Sequence, residues 1–513
     1  MKKNIYLLFI LTVFTTFSCK KLLEEQPYSS LTVAFFFNNY TEANQAVIGA
    51  YSLLSGVDYY KRSFTNITGF TSDDSYHKGA AFTPFDDGSL EPTNPLVTSL
   101  WNTIFSLNGK INFTIQALEN APSLTNAEKT KLIGRLQFLR SLNLFNAVRL
   151  WGDVPMVTEY VVSDENLYPA RTPKAQVYAF IEDQLYKAAT TLPVTETEYG
   201  FPTKGAAQSL LAKVFLTEEK WTNANNLLDT VIASNTYSLL PNYMDVFDIT
   251  KENNAEEIFS IQFKKDESEA GESSLGSLLP FWFLPVNNNL GYTADGSQTP
   301  GQMRTEHASY DRYTAGDYAS DGRKNIFITT YPLTSGTTFR RYPDNPAKGA
   351  QGPAVSKYRD PSNNFERNYD NNLYILRYAD VLLMKAEAEN EVNGPTIAAF
   401  NAFNQVRLRS NTVPLSAATI LTKDAFRDAV SNERGLEFFG EFQRYFDQIR
   451  MKKPGGDSYY KFLKEKVKAD GKFATFVDVN YLDYYPKYEL MPIPASEIAI
   501  NPNITASNQN PGY

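Results

Sequence analysis

Apolar residues recur at helical spacing in several stretches of the chain, and these stretches come in adjoining pairs. In residues 202–234, Ala207, Leu210, Leu211 and Val214 fall at positions i, i+3, i+4 and i+7, which places one apolar stripe along a helix that Thr203 can cap. The same spacing then recurs at Trp221, Ala224, Leu228 and Val231. Two amphipathic helices within about 34 residues have the size of a tetratricopeptide unit.

Three further pairs of segments show the same organisation. They cover residues 41–56 with 100–121, 126–152 with 172–193, and 376–390 with 398–410. Stacked helix pairs of this kind bury a continuous core between neighbouring repeats. The pattern therefore predicts a mainly α fold, a tetratricopeptide-like helical-repeat superhelix of about four helix pairs.

Two long stretches, residues 57–100 and 261–372, break this periodicity. They are rich in Gly, Asn, Asp, Pro, Ser and Tyr, and short strands are predicted at their borders, in residues 256–263 and 373–379. Loops this long inside a compact domain are usually functional. We expect one globular domain over residues 37–513, in which helical repeats at 37–56, 101–260 and 373–450 pack against an irregular, loop-rich ligand half with short β-strands.

The first residues have the layout of a secretory signal. Two lysines precede an uncharged, largely apolar run over residues 5–17, and small Ser18 precedes Cys19, the only cysteine of the chain. Two interpretations are open, a lipid carried by Cys19 or an ordinary cleaved signal with an incidental cysteine. We favour the lipid, because several acyl chains anchor a protein stably. This interpretation predicts a signal peptide at 1–18 and a lipidated tether at 19–36.

Composition argues against several classes of function. The net charge of −8, the pI near 5.2 and the absence of a basic tract argue against a nucleic-acid partner. The chain has two histidines, His77 and His307, which are few for a zinc site, and the lipid would use Cys19. No glycine-rich phosphate loop is present, so we expect no cofactor.

Carboxylate pairs are the remaining candidates for catalysis. Asp73–Asp74 and Asp86–Asp87 could in principle serve a glycosidase mechanism. We favour turn capping or hydrogen bonding to a ligand on a loop, and we expect no enzymatic activity. Loop carboxylates can also hold calcium, and the sequence leaves that open.

A charged run at residues 432–450 interleaves acids and arginines with phenylalanines. On a helix, Glu441 with Arg444 and Asp447 with Arg450 would form i,i+3 pairs. We interpret the run as a partly buried ion network rather than as a functional acid cluster. Arg444→Ala is therefore expected to lower thermal stability and to leave ligand affinity nearly unchanged.

Eight segments, in order along the chain, resemble motifs of one known family. They are SCKKLLEEQP (18–27), LWNTIFSLNGKIN (100–112), LRSLNLFNAVRLWGDVPMV (139–157), TKGAAQSLLAKVFL (203–216) with KW (220–221), NNAEEIFSIQF (253–263), RYADVLLMKAEAEN (377–390), NERGLEFFGEFQRYFDQIR (432–450) and INPNITASNQNPGY (500–513). Together they resemble the SusD/RagB family of outer-membrane nutrient-binding lipoproteins.

The resemblance implies a role in nutrient capture. Family members lie over a TonB-dependent, SusC-like transporter in the outer membrane and face the exterior. The helical half faces the transporter, and the loop half holds an oligosaccharide or, in the RagB branch, a peptide. The resemblance thus implies a non-catalytic cell-surface lipoprotein that delivers its ligand to this partner.

Tryptophan is the best aromatic platform for a sugar. Trp101, Trp151 and Trp221 lie in predicted helices and are assigned to structure, which leaves Trp282 in the loop-rich half. The interpretation of Trp282 as a sugar platform and its interpretation as a plug in the core of that half are both open.

Two loops supply the candidate ligand-binding residues. These residues are Trp282, Asn287, Asn288 and Tyr292 in one loop, and Asp73, Asp74, Tyr76 and His77 in the other. Amides beside aromatics suit an oligosaccharide, whereas a peptide would favour strand edges and charged end-clamps. If the ligand is a sugar, Trp282→Ala should lower affinity by orders of magnitude, and retained affinity would favour the peptide.

Overall fold

The computed structural model describes the chain from residue 37 onward, with internal gaps. The described residues are 37–77, 82–85, 88–161, 167–265, 274–285, 303–332, 339–341, 352–361, 367–461 and 486–513. The α-helices are α1 (Tyr40–Tyr51), α2 (Ser63–Thr71), α3 (Pro95–Glu119), α4 (Asn126–Trp151), α5 (Lys174–Thr191), α6 (Lys204–Thr217), α7 (Trp221–Ala233), α8 (Leu279–Phe283), α9 (His307–Asp311), α10 (Tyr378–Asn393), α11 (Ile397–Arg409), α12 (Lys423–Glu437), α13 (Arg444–Arg450) and α14 (Ala495–Ile500).

The strands are short and pair two by two in antiparallel fashion. They are β1 (Ser75–His77), β2 (Val154–Pro155), β3 (Arg171–Thr172), β4 (Glu257–Ile261), β5 (Met303–Thr305), β6 (Phe327–Ile328), β7 (Thr330–Pro332), β8 (Phe339–Arg341), β9 (Ala354–Val355) and β10 (Leu373–Arg377). The pairs are β1–β5, β2–β3, β4–β10, β6–β9 and β7–β8.

Four helix pairs form one continuous stack, as the apolar pattern predicts. Helix α1 packs against α3, α4 against α5, α6 against α7, and α10 against α11. Contacts of α3 with α4, α5 with α6, and α7 with α10 join the pairs. Helices α7 and α10 are therefore neighbours in space, although a long loop-rich segment separates them in the sequence. The prediction of a mainly α, tetratricopeptide-like fold is confirmed.

Local sequence explains the central pair, α6 and α7. The Thr203 side chain accepts a hydrogen bond from the backbone N–H of Ala206 at 3.1 Å, which confirms Thr203 as the N-cap of α6. The four stripe residues of α6 are all buried, as are three of the four in α7, and Trp221 is half-buried. The apolar stripes therefore form the interface between the helices.

Helix α2 corrects one sequence expectation. It lies in the stretch 57–100, which was predicted to be irregular, and all nine of its residues are buried. Five of these buried residues are polar, namely Ser63, Thr65, Asn66, Thr68 and Thr71, so burial in α2 does not follow an apolar stripe. Its Thr68 and Thr71 hydroxyls donate to the carbonyls of Phe64 and Ile67, at 2.8 and 2.7 Å, within the helix.

Strands β4 and β10 confirm the two short strands predicted at the borders of the loop-rich segment. They pair with Leu373 opposite Ile261 and Arg377 opposite Glu257. Because β10 leads directly into α10, this pairing carries the chain from the irregular half back to the helical stack.

Two tryptophans have structural roles, as expected. The rings of Trp101 and Trp151 meet edge to face, with their centroids 5.1 Å apart. The indole N–H of Trp151 donates to the Pro492 carbonyl at 3.0 Å, and that of Trp101 to Glu497 at 3.3 Å. The pair thus fastens the C-terminal segment to α3 and α4.

The charged run forms a buried ion network. Arg377 donates to Glu437 at 2.6 Å and to Glu441 at 2.8 Å. Arg409 and Arg323 also contact the Glu437 carboxylate. Although burial alone raises the pKa of Glu437, the three guanidinium groups hold that pKa well below its usual range. This geometry supports the structural interpretation of the run.

One of the two predicted pairs within the run is confirmed, and the other is wrong. Asp447 and Arg450 pair at 2.8 Å within α13. Glu441 and Arg444 instead bind residues outside the run, because the chain leaves the helix at residues 438–443. The i,i+3 geometry of a continuous helix therefore does not apply to this pair.

Candidate functional site

The first predicted loop follows directly from helix α2. Asp73 and Asp74 leave the helix, and Tyr76 and His77 lie in β1, which pairs with β5. The ring of Tyr76 is buried, and its hydroxyl accepts a hydrogen bond from the backbone N–H of Gly352 at 3.0 Å. The segment 73–77 is therefore held by its pairing with β5 and by the hydrogen bond from Gly352.

The second predicted segment lies beside the first. Trp282, in the short helix α8, contacts Phe82 edge to face, with the ring centroids 5.7 Å apart. Phe82 also packs on Phe70 of α2 at 5.4 Å, and Phe281 packs on Trp282 at 5.2 Å. The structure thus brings the two sequence-predicted loops together at the contact between Phe82 and Trp282, which we call the aromatic junction.

The two rings of the aromatic junction differ in exposure. Trp282 is only 2% exposed, whereas Phe82 is half-buried. The indole N–H of Trp282 is buried, and no hydrogen-bond acceptor lies within reach of it among the described residues. A buried donor without a partner costs stability unless a water or a ligand atom supplies the acceptor.

Asp73 and Asp74 face arginines from distant parts of the chain. Arg444 donates to both Asp73 oxygens, from Nε at 2.8 Å and from Nη2 at 3.1 Å. Arg312, which directly follows α9, donates to Asp74 at 3.0 Å. The two carboxylates join the first loop to α9 and α13, and their contact with a ligand stays a prediction.

The electrostatics of this acid pair are uneven. Burial raises the pKa of Asp74 to about 6, and the neighbouring Asp73 acts in the same direction. The guanidinium group of Arg312 opposes this shift but does not cancel it. Asp74 is therefore partly protonated in mildly acidic solution, where it can donate as well as accept hydrogen bonds.

Several sequence-predicted residues lie outside the described residues. These residues are Asn287, Asn288 and Tyr292 of the second loop, and Cys19 at the proposed cleavage site. Their roles stay predictions. Arg312, by contrast, was missed by the sequence analysis, because no local pattern marks an isolated arginine whose partner lies more than two hundred residues away.

Two features of the described part of the chain concern other classes of site. No helix in these ranges is both long and apolar enough to cross a bilayer. No three His, Cys, Asp or Glu side chains within them are grouped so as to hold a metal ion.

The fold and the aromatic junction define a class of protein: a tetratricopeptide-like frame that supports an irregular half with clustered aromatic rings. Residues 246–513, more than half of the chain, match the model of the SusD family, and residues 21–216 match a family described as "Starch-binding associating with outer membrane". The chain belongs to the SusD family, which confirms the resemblance seen in its motifs.

Known proteins are similar over nearly the whole chain. The SusD-like protein P25 of Formosa agariphila is 27% identical, and the alignment covers 100% of both chains. A crystal structure of a SusD homolog from Bacteroides thetaiotaomicron matches with a TM-score of 0.78 and 24% identity, over 94% of this chain and 98% of that one. Surface glycan-binding protein A from the same organism, in complex with laminarihexaose, matches with a TM-score of 0.70 and 24% identity, over 92% and 99% of the two chains. These matches confirm the fold.

Proposed function

We propose that this chain is a lipid-anchored, non-catalytic protein of the outer-membrane surface. It captures an oligosaccharide and passes it to a TonB-dependent, SusC-like transporter. The observation that carries the proposal is the match of residues 21–216 to a family described as starch-binding and associated with the outer membrane. The glycan-binding protein with the same fold, in complex with laminarihexaose, supports the same class of ligand.

The anchor is proposed to be the acylated Cys19, which follows the signal-like leader. From residue 37 the chain enters the helical half, and the Phe37 carbonyl accepts a hydrogen bond from the Ser123 hydroxyl at 2.7 Å. The tether therefore joins the frame near the turn between α3 and α4. This attachment favours an orientation in which the helical half lies toward the membrane and the transporter.

The ligand site is proposed to include the aromatic junction. Sugars offer C–H faces that pack on aromatic rings, together with hydroxyl groups that need polar partners. The ring of Phe82 is half-buried, and Trp282 packs against it edge to face. The indole N–H of Trp282 is buried without an acceptor among the described residues, so a sugar oxygen would reach it only if the surrounding side chains moved.

Calorimetric titration against panels of neutral oligosaccharides and peptides tests this proposal. Phe82→Ala and Trp282→Ala should each weaken oligosaccharide binding, the second by orders of magnitude. Because loss of a buried indole costs roughly 3–5 kcal/mol in stability, Trp282→Phe is the sharper variant. It keeps most of the ring packing and removes an N–H that has no acceptor in the described protein, so weaker binding at a preserved melting temperature indicates a ligand contact.

Trp221→Phe is the matched control. Trp221 is half-buried in the helical half, so this substitution should not change the affinity for oligosaccharides. If the Trp282 variants bind oligosaccharides like the wild type while peptides bind the protein, the peptide alternative is correct. The anchor is tested separately by membrane fractionation of wild type and Cys19→Ala. Wild-type protein that is unacylated and absent from every membrane fraction would refute the lipoprotein role.

A further inference from the structure

A cavity opens beside the end of β4. It has a volume of about 550 Å³ and shares no lining residue with the junction. Ligand sites commonly occupy about 300–1,000 Å³. Polar side chains dominate its wall, among them Asp248, Thr250, Glu252, Lys264, Arg359 and Asp370. We call it the Arg359 cleft.

The backbone around the Arg359 cleft is held in place by side chains. Glu252 accepts the backbone N–H of Asn372 at 2.7 Å, and the Asn372 side chain accepts the backbone N–H of Phe263 at 2.8 Å. Asp370 accepts the backbone N–H of Lys265 at 2.8 Å. These bonds join the segments before and after β4 to the segment before β10, so the cleft is pre-organised.

The carboxylates of the cleft already have partners. Asp248 accepts from the backbone N–H of Thr250 at 2.9 Å and from its hydroxyl at 2.7 Å. Asp370 lies 3.4 Å from the ammonium group of Lys264. Burial raises the pKa of Glu252 to about 8, so this group is mostly protonated at neutral pH and adds a hydroxyl donor rather than a negative charge.

Arg359 is the exception. Its side chain is exposed at the rim of the cleft, and among the described residues its guanidinium group forms no hydrogen bond and no ion pair. Nearby, the Lys264 side chain is 81% exposed, and its ion pair with Asp370 is long at 3.4 Å. The polar groups left for a ligand are therefore cationic at this rim, and a guanidinium fork matches a carboxylate or a sulfate group in two-point contact.

We propose that the Arg359 cleft is a second saccharide site, which takes a sugar unit bearing a carboxylate or sulfate group. The anion is held by Arg359, with Lys264 as the second cation. The sugar hydroxyl groups find acceptors in Asp248 and Asp370 and a donor in protonated Glu252. This inference rests on the proposed function only in assuming that the chain binds saccharides, and it makes acidic glycans the ligand class of this cleft.

The test is calorimetric titration of the mature protein with three probes. They are an oligomer of galacturonic acid, a sulfated galactose oligomer and neutral laminarihexaose. Arg359→Gln should weaken binding of an acidic probe about tenfold or more, since a hydrogen bond to a charged group that is worth about 1.5–3 kcal/mol is lost. Arg359→Lys keeps the positive charge but loses the two-point guanidinium contact, so its affinity for the acidic probe should lie between those of the wild type and Arg359→Gln. Lys187→Gln, which removes an exposed cation from α5, should have no effect.

Ionic strength gives an independent measurement. Wild-type affinity for the acidic probe should fall as sodium chloride rises from about 0.05 to 0.5 M, and Arg359→Gln should be less sensitive. The acidic probe that binds more tightly identifies the anion as carboxylate or sulfate. Because Arg359 is exposed, its variants should keep the wild-type melting temperature.

Three results would overturn the inference. They are equal binding of an acidic probe by wild type and Arg359→Gln, binding of laminarihexaose alone, and binding of a peptide carboxylate in preference to both acidic sugars. If neutral sugar still binds and only Phe82 and Trp282 variants weaken it, the proposed function stands without this second site. If no saccharide binds, both the proposed function and the inference about the Arg359 cleft are wrong.

Discussion

The structure gives the expected effect of Arg444→Ala a specific mechanism. Arg444 is about 4% exposed, and it donates to both oxygens of Asp73, which is about 9% exposed. A third bond runs from Nη1 to the Ser431 carbonyl at 2.9 Å. After truncation, the Asp73 carboxylate would remain buried beside Asp74, with the nearest guanidinium nitrogen of Arg312 at 3.6 Å.

The magnitude follows from this stranded charge. Breaking a buried ion pair by removing one partner costs about 3–5 kcal/mol. Unfolding entropy of roughly 2 cal/mol/K per residue amounts to about 1 kcal/mol/K for a chain of this length. Arg444→Ala should therefore lower the melting temperature by roughly 3–5 °C. By contrast, Lys187→Ala breaks an exposed pair with Asp183 and should cost less than about 1 kcal/mol.

The interaction energy of the Arg444–Asp73 pair can be measured by scanning calorimetry of four proteins. They are the wild type, Arg444→Ala, Asp73→Asn and the double variant. The double variant has no stranded carboxylate, so it should be more stable than the sum of the two single effects predicts. The ligand affinity of Arg444→Ala, measured well below the melting transition, should stay close to wild type, because the hydrogen bonds of the Arg444 guanidinium go to protein oxygens of Asp73 and Ser431. Additive single effects would refute the ion-pair reasoning, and lost binding at an unchanged melting temperature would refute the structural assignment of Arg444.

Three further predictions concern the backbone, pH and a helix cap. Gly276→Ala should destabilise strongly, because a Cβ there would lie 2.6 Å from the backbone nitrogen of Tyr369, whereas Gly109→Ala within α3 meets open space and should stabilise by about 0.5–1 kcal/mol in denaturant titrations. Because the folded pKa of Glu252 lies above its unfolded value near 4.5, wild-type stability relative to Glu252→Gln should fall as pH rises from about 5 to 8; a constant difference between their melting temperatures would contradict this. Thr125→Ala removes the capping box of α4 and should cost about 1 kcal/mol of unfolding free energy, and an unchanged denaturation midpoint would contradict it.

The helical frame could be predicted from the sequence alone. Apolar stripes at 3.6-residue spacing predicted the four helix pairs, because each amphipathic helix has one face that must be buried. The strands β4 and β10 were also predicted, since short runs of branched and aromatic residues mark them locally. Family motifs spread along the chain then indicated the class of protein.

Contacts between residues far apart in the sequence became visible only in the folded protein. Helix α2 was missed because its polar residues are buried together with its apolar ones, so no apolar stripe predicts which residues are buried. The partners of Asp73 and Asp74 were also hidden, because Arg444 lies 371 positions from Asp73 and Arg312 lies 238 from Asp74. Ion pairs and clefts depend on how segments pack in space, whereas the periodicity of a helix is written within a few consecutive turns.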